Sequence, residues 1–217
     1  GSSSHGTHCG GTIAADSNNG VGVAGVAGGD GTPDSGVKLM IGVNFGTNSG
    51  GFEEGLVYGA DNGAQISSNS WGYTTPGYMP RALQLAIEYY NAKDGVLVFA
   101  AGNDNDDADW YPAYHDGVVA VAAVEDTGKR AIFSNYGTWV DVSAPGVDVY
   151  STLYQSYGYE SGTSMACPHV AGVLALGKAV YRAASKSDLL DCLYDTSRNI
   201  DDANVRFFDD KLGAGLV

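Results

Sequence analysis

Apolar and polar positions along the chain fall into two rhythms. Five short runs read as β-strands: "VKLMIGV" (37–43), "AQISSNSW" (64–71), "VLVFAAG" (96–102), "VVAVAAV" (118–124) and "WVDVSA" (139–144). Several are apolar at successive positions, so both faces are set for burial, as in the inner strands of a parallel sheet. Between them, "FEEGLVYGADNG" (52–63) and "PRALQLAIEYYNAKDG" (80–95) read as helices, each closed by a glycine. Residues 5–15, 163–184 and 187–196 predict three more helices. Strands alternating with helices imply βαβ units, hence a three-layer α/β domain around a mostly parallel, doubly wound sheet. No internal repeat or linker breaks the pattern. "GGDGTPDSG" (28–36) reads as a loop, and residues 1–217 as a single domain. The closing "LGAGLV" reads as the start of a further element.

Composition narrows the function. A chain of 217 residues can bury a substantial core, and 44% hydrophobic with 17% charged residues is a globular balance. The 32 glycines predict many tight turns and close backbone approaches. A formal charge of −14 argues against a nucleic-acid surface, which needs clustered Lys and Arg. It suits a secreted or calcium-holding protein. No run approaches the ~18–20 apolar residues of a membrane span. A signal peptide would be gone from a mature secreted chain, so its absence excludes nothing. Three cysteines, Cys9, Cys167 and Cys192, rule out a disulfide scaffold and leave room for one bridge.

Three stretches carry candidate chemistry. In "YESGTSMACPHVAG" (159–172), Ser164 enters a long apolar helix, where free amides and the helix dipole favour a developing oxyanion. For an isolated "GTS" a serine N-cap is the simpler explanation. The stretch lacks the second glycine of a nucleophile elbow. "LVFAAGNDN" (97–105) places Asn103 just beyond a buried strand, where ligands collect in open α/β sheets and where turn asparagines are also common. "SSSHGTHCGG" (2–11) holds His5 and His8; a zinc site there would want a third ligand nearby.

Taken together and in order, "HGTHCGGTIAA", "AAGN" and "SGTSMACPHVAG" resemble the subtilisin-like serine peptidases. "SNSWG", "RAIFSNYG", "VSAPG" and "LGAGLV" match the same family, so the resemblance covers nearly the whole chain. It implies acyl transfer with Ser164 as nucleophile, His5 as general base and Asn103, with the Ser164 amide, as oxyanion donor. His8 and His169 fall outside these roles and read as structural. An extended peptide substrate would lie between Ser70-Trp71-Gly72 and Ala100-Ala101-Gly102, giving a secreted endopeptidase of broad specificity.

Further expectations follow from the resemblance. "ADSNNGVGV" (15–23) is similar to the family's calcium loop, with Asp16, Asn18 and the carbonyls of Val21 and Val23 as ligands. Cys9, one helical turn after His5, and Cys167, three residues after Ser164, would stand behind the catalytic pair. Some relatives carry a cysteine at the first of these positions and are sensitive to mercurials. Tyr111-Pro112 matches a place where the family uses a cis peptide. Asp104 would border the first specificity pocket, with Asp106, Asp107, Asp109 and Trp110 close behind, and acidic side chains would be disfavoured there.

The family order is Asp, His, Ser, yet only Gly and Ser precede His5. Asp34 in "PDSGV" imitates the Asp-(Ser/Thr)-Gly signature, but it follows His5 and sits in a loop, so it reads as a loop acid. The expectation is a fragment whose catalytic Asp comes from an N-terminal segment of the same precursor. A subtilase-fold module that binds peptides without cleaving them is the second class. An esterase on another fold is the third, disfavoured by residue order.

Overall fold

The computed structural model of the chain describes residues 3–43 and 51–217. In order, the elements are α1 (Ser3–Ala14), α2 (Phe52–Asp61), β1 (Ile66–Asn69), α3 (Arg81–Ala92), β2 (Val96–Ala100), β3 (Val119–Val124), β4 (Val142–Pro145), β5 (Val149–Leu153), β6 (Ser156–Glu160), α4 (Thr163–Val180) and α5 (Lys186–Thr196). Strands β1 to β4 form a parallel sheet in chain order. Each crossover places a helix or loop on one of its faces, as parallel connections require.

The unbroken apolar character of β2 and β3 has a direct cause. Val96, Val98 and Ala100 point into a core shared with Ala166, Val170 and Leu174 of α4. Leu97 and Phe99 point the other way, into a second core with Leu83, Ile87 and Tyr90 of α3. Strand side chains alternate across the sheet, so a strand between two helical layers must be apolar at every position. All residues of β2 and β3 are buried. The three-layer α/β architecture is as the sequence predicts, with most boundaries moved by a few residues.

The 37–43 run is a correction. It is predicted as a strand, yet it joins no ladder among the described residues, and Ile41 and Val43 are about 70% exposed. A strand exists by its neighbours' hydrogen bonds, and among the described residues β1 pairs with β2 alone. Local apolar character cannot supply the missing partner. The β5–β6 hairpin is a second departure: an antiparallel ribbon closed at Leu153↔Ser156 that the strand reading did not contain. The helix predicted over 163–184 ends at Val180, and the 139–144 strand begins at Val142, after a turn closed by Val140 N–H to Gly137 O at 3.1 Å. Near the end of the chain, Leu216 bridges both Ser143 and Arg198, laying "LGAGLV" beside β4.

Candidate active site

Helix α4 begins at Thr163, so Ser164 stands in the first turn, where amides lack intrahelical partners. Asn103 faces it from the loop after β2. Its Oδ1 accepts two hydrogen bonds from Thr163, from the amide at 2.9 Å and the hydroxyl at 3.0 Å. With Oδ1 occupied, Nδ2 is left as the outward donor. A Cβ placed on Gly162 would lie 3.6 Å from Ser164 N and 3.7 Å from Asn103 Nδ2. Both donor nitrogens thus lie within 4 Å of one point, and both residues line the same cleft, the placement that an oxyanion site would need.

Two residues missed by sequence reasoning hold this arrangement. Thr163 clamps Asn103, and its Oγ1 also accepts from Gly102 N at 3.1 Å. Asn135, fully buried, donates to Ala101 O at 2.9 Å, accepts from Asp104 N at 2.8 Å and donates its own amide to Gly102 O at 3.0 Å. Gly102 has φ +103°, and a Cβ there would fall 2.3 Å from Asn135 Nδ2, so only glycine fits. The available signal was "RAIFSNYG", which matched the family without assigning Asn135 a role.

Helix α1 packs against α4 and carries His5 on its exposed side. Among the described residues His5 makes no hydrogen bond or ion pair, and Ser164 Oγ is turned to the Ser70 carbonyl at 3.5 Å. The structure brings the two helices together without joining the two side chains. His8 is buried, with Nε2 bound to Val149 O at 2.9 Å. Its Nδ1 has no partner among the described residues. His169 Nδ1 engages Met165 O at 2.8 Å, and burial lowers its pKa. Both side chains thus hold backbone carbonyls within the fold. The unforeseen β5–β6 hairpin anchors α1: Ser151 Oγ donates to His8 O at 2.9 Å and Thr152 Oγ1 to Thr7 O at 2.8 Å. No cluster of three His, Cys, Asp or Glu occurs among the described residues.

A cleft of about 250 Å³ runs beside Ser164 and Asn103. Trp71 and Gly72 line one side, Ala100, Ala101 and Gly102 the other, and Asp104, Trp110 and Tyr111 border it. Ser70 does not line it; its side chain turns to the Ser164 carbonyl at 2.7 Å. Trp71 is held by stacking on Phe52, with ring centroids 3.8 Å apart. The Tyr111-Pro112 bond is cis, as expected. Of the acidic loop, Asp106 accepts from Trp110 Nε1 and from Ala108 N, and Asp107 lies 3.8 Å from Lys211. Asp104 is exposed at the cleft. Asp34 is an exposed loop residue paired with Lys38 at 2.6 Å, as read from the sequence.

All three cysteines are free. Cys9 Sγ donates to Ser164 O at 3.3 Å, and Cys167 Sγ contacts Ser68 Oγ at 3.6 Å. Burial pushes the Cys9 thiol up to about 11 and that of Cys167 to about 12, so both stay protonated at neutral pH. In the 15–23 loop, Asn18 Nδ2 donates to Asp30 O at 3.2 Å, which leaves Oδ1 open. Neither the Asp16 carboxylate nor the carbonyls of Val21 and Val23 accept a hydrogen bond among the described residues. A carboxylate, an amide oxygen and two uncommitted carbonyls fit a hard cation's demand for oxygen.

Comparison with known proteins gives the family. A model described as the subtilase family matches residues 1–215. The "Thermophilic serine proteinase" of Bacillus sp. (strain AK1) is 44% identical over 176 residues, covering 79% of this chain and 42% of that protein. The "Thermitase" of Thermoactinomyces vulgaris is 43% identical over 185 residues, covering 83% and 63%. A solved protease from Pseudoalteromonas arctica PAMC 21717 superimposes with a TM-score of 0.80 at 35% identity, covering 98% of this chain and 68% of that one. The chain thus spans less than two thirds of the length of those two curated relatives.

Proposed function

The chain belongs to the subtilase family, and from that premise we propose that it is the body of a secreted serine endopeptidase of broad specificity acting through an acyl-enzyme. The observation that carries the proposal is that Thr163 holds Asn103 Oδ1 and leaves Nδ2, free among the described residues, beside Ser164, both residues lining one cleft. In this reading Ser164 Oγ attacks the substrate carbonyl and its proton passes to His5. The oxyanion rests on Asn103 Nδ2 and Ser164 N–H. His5 returns the proton to the leaving amine, and water releases the acyl group by the reverse route. Ser164 Oγ must first rotate away from the Ser70 carbonyl to reach His5.

The substrate lies extended along the cleft between Ser70-Trp71-Gly72 and Ala100-Ala101-Gly102, matched by backbone pairing more than by side-chain pockets. His5 needs a carboxylate to fix its tautomer and stabilise its charged form. The proposal places that Asp on a strand from an N-terminal segment of the same precursor. The 37–43 run, which joins no ladder among the described residues, and the edge of β1 away from β2 are where such a strand would join. Asp16, Asn18, Val21 and Val23 would hold calcium, which would neutralise Asp16 and tie the 15–23 loop down.

A fluorophosphonate probe tests the reading. It should label the protein at Ser164 and fail on Ser164→Ala, and addition of the Asp-bearing segment should accelerate it. Peptide binding without labelling under either condition would make the chain a binding module on a peptidase fold.

A further inference from the structure

Pro168 lies four residues after Ser164, inside α4. Proline has no amide hydrogen, so the Ser164 carbonyl is denied the bond that its place in a helix would normally give it. Two side chains from other elements fill the vacancy. Ser70 Oγ, just past β1, donates to Ser164 O at 2.7 Å. The Cys9 thiol on α1 donates to the same oxygen at 3.3 Å. Ser164 Oγ in turn faces the Ser70 carbonyl at 3.5 Å, so the two serines meet at both ends.

We propose that Ser70 is a positioning residue whose hydroxyl, seconded by the Cys9 thiol, replaces the amide that Pro168 lacks and so orients Ser164 for attack. Gripping the Ser164 carbonyl fixes the rotation about its Cα–C bond, and with it the direction in which Cβ carries Oγ relative to Asn103. An ordinary helix would do this with its own amide. Here the nucleophile's alignment is delegated to the segment just past β1, whose next residues Trp71 and Gly72 line the cleft, so movement of that segment would be transmitted to Ser164.

The inference rests on Ser164 being the nucleophile, and its test has one readout that does not. Ser164-Met165 is the only Ser-Met pair in the sequence. Labelling serine carbonyls with 13C and methionine amides with 15N therefore isolates that single peptide. Ser70→Ala should move the Ser164 carbonyl resonance upfield, as loss of a donor does. Ser70→Thr should leave it near the wild-type position, and adding Pro168→Ala to Ser70→Ala should return it. The limiting rate of fluorophosphonate labelling should follow the same order. The loss in Ser70→Ala should be about tenfold to a hundredfold, with the half-saturating probe concentration unchanged and most of the loss recovered in the double variant. An unmoved resonance in Ser70→Ala would overturn the proposal. So would a labelling loss that Pro168→Ala does not restore, because Ser70 would then act on the probe directly. If the resonance obeys while the wild type takes no label, the positioning geometry holds and the peptidase reading fails. Should Ser70→Ala not fold, Cys9→Ala removes the weaker donor. A smaller shift in the same direction is expected there, and its absence would equally sink the idea.

Discussion

Thr163 grips the Asn103 carboxamide with both its amide and its hydroxyl, at 2.9 and 3.0 Å, and so decides which end of that side chain faces the cleft. The Nδ2 donor is presented by elimination. Preorganisation of this kind is what makes an oxyanion donor effective, because no reorientation is needed as charge develops.

Removing the donor or its clamp should therefore have different costs. Asn103→Ala should lower kcat by about 10²- to 10³-fold with KM little changed. Thr163→Val keeps the amide bond and loses the hydroxyl, so Asn103 is less firmly oriented; a smaller loss, about tenfold, is expected, and Thr163→Ser should restore most of it. Steady-state kinetics on one peptide would check both. A Thr163→Val enzyme with wild-type kcat would show that the amide bond alone is sufficient.

A second prediction concerns pH. Burial pushes the Asp141 carboxyl up to about 6, against a single partner bond from Ala120 N–H at 2.7 Å. Its folded pKa thus exceeds its unfolded one, so between about pH 4 and 6 the native state binds the proton more tightly. Asp141 contributes most favourably below that window and costs stability above it, on the order of 2–3 kcal/mol. Asp141→Asn keeps an oxygen for Ala120 and removes the charge. Relative to wild type it should gain stability at pH 8 and lose that gain by pH 4.5. Urea midpoints at the two pH values measure this, and an equal gap at both would show that Asp141 is not the source.

The calcium reading predicts a chelator effect. Saturating the site at about a hundred times its Kd would add ~2.7 kcal/mol, a Tm shift of about 5–10 °C for a domain of this size. EDTA should remove that increment, and Asp16→Asn should abolish the difference between calcium and EDTA. A melting curve indifferent to both would leave the 15–23 loop a plain turn.

How much of this was legible in the sequence depends on whether a residue's role is local. Val96 to Ala100 and Val119 to Val124 betray two-sided burial at every position, so the sheet's centre could be read directly. Ser164 and Asn103 carry motifs that survive translation into structure. Asn135 does not: it sits in a polar stretch that reads as a surface turn, yet it is fully buried, and its partners lie about thirty residues away. Ser70 was read as a cleft edge together with Trp71 and Gly72, but only those two line the cleft; its hydroxyl's bond to Ser164 crosses 94 positions, which no local pattern reports. The 37–43 run failed for the converse reason. Its composition is that of a strand, but pairing is a property of two segments, and one segment's pattern cannot report the other.

The last prediction is sharpened by what the acidic loop does in three dimensions. Four carboxylates follow Asn103 in close succession, and the sequence alone suggests that all repel an acidic side chain entering the cleft. In the structure Asp106 is engaged by Trp110 and Ala108, and Asp107 is near Lys211. Asp104 remains exposed at the cleft. At a separation of ~7 Å and an effective dielectric between 20 and 80, one such charge costs an incoming carboxylate about 0.6–2.4 kcal/mol. That predicts cleavage after Glu about 3- to 50-fold slower than after a neutral side chain of similar size from this charge alone. Raising the salt to 1 M shortens the screening length to about 3 Å, so most of the penalty should vanish. Asp104→Asn should remove it at low salt, whereas Asp107→Asn should change little. Matched peptides with Gln or Glu before the cut bond, assayed at low and high salt, give the comparison. A Glu penalty that survives both high salt and Asp104→Asn would belong to the shape of the pocket beside Trp110, and the electrostatic account would fall.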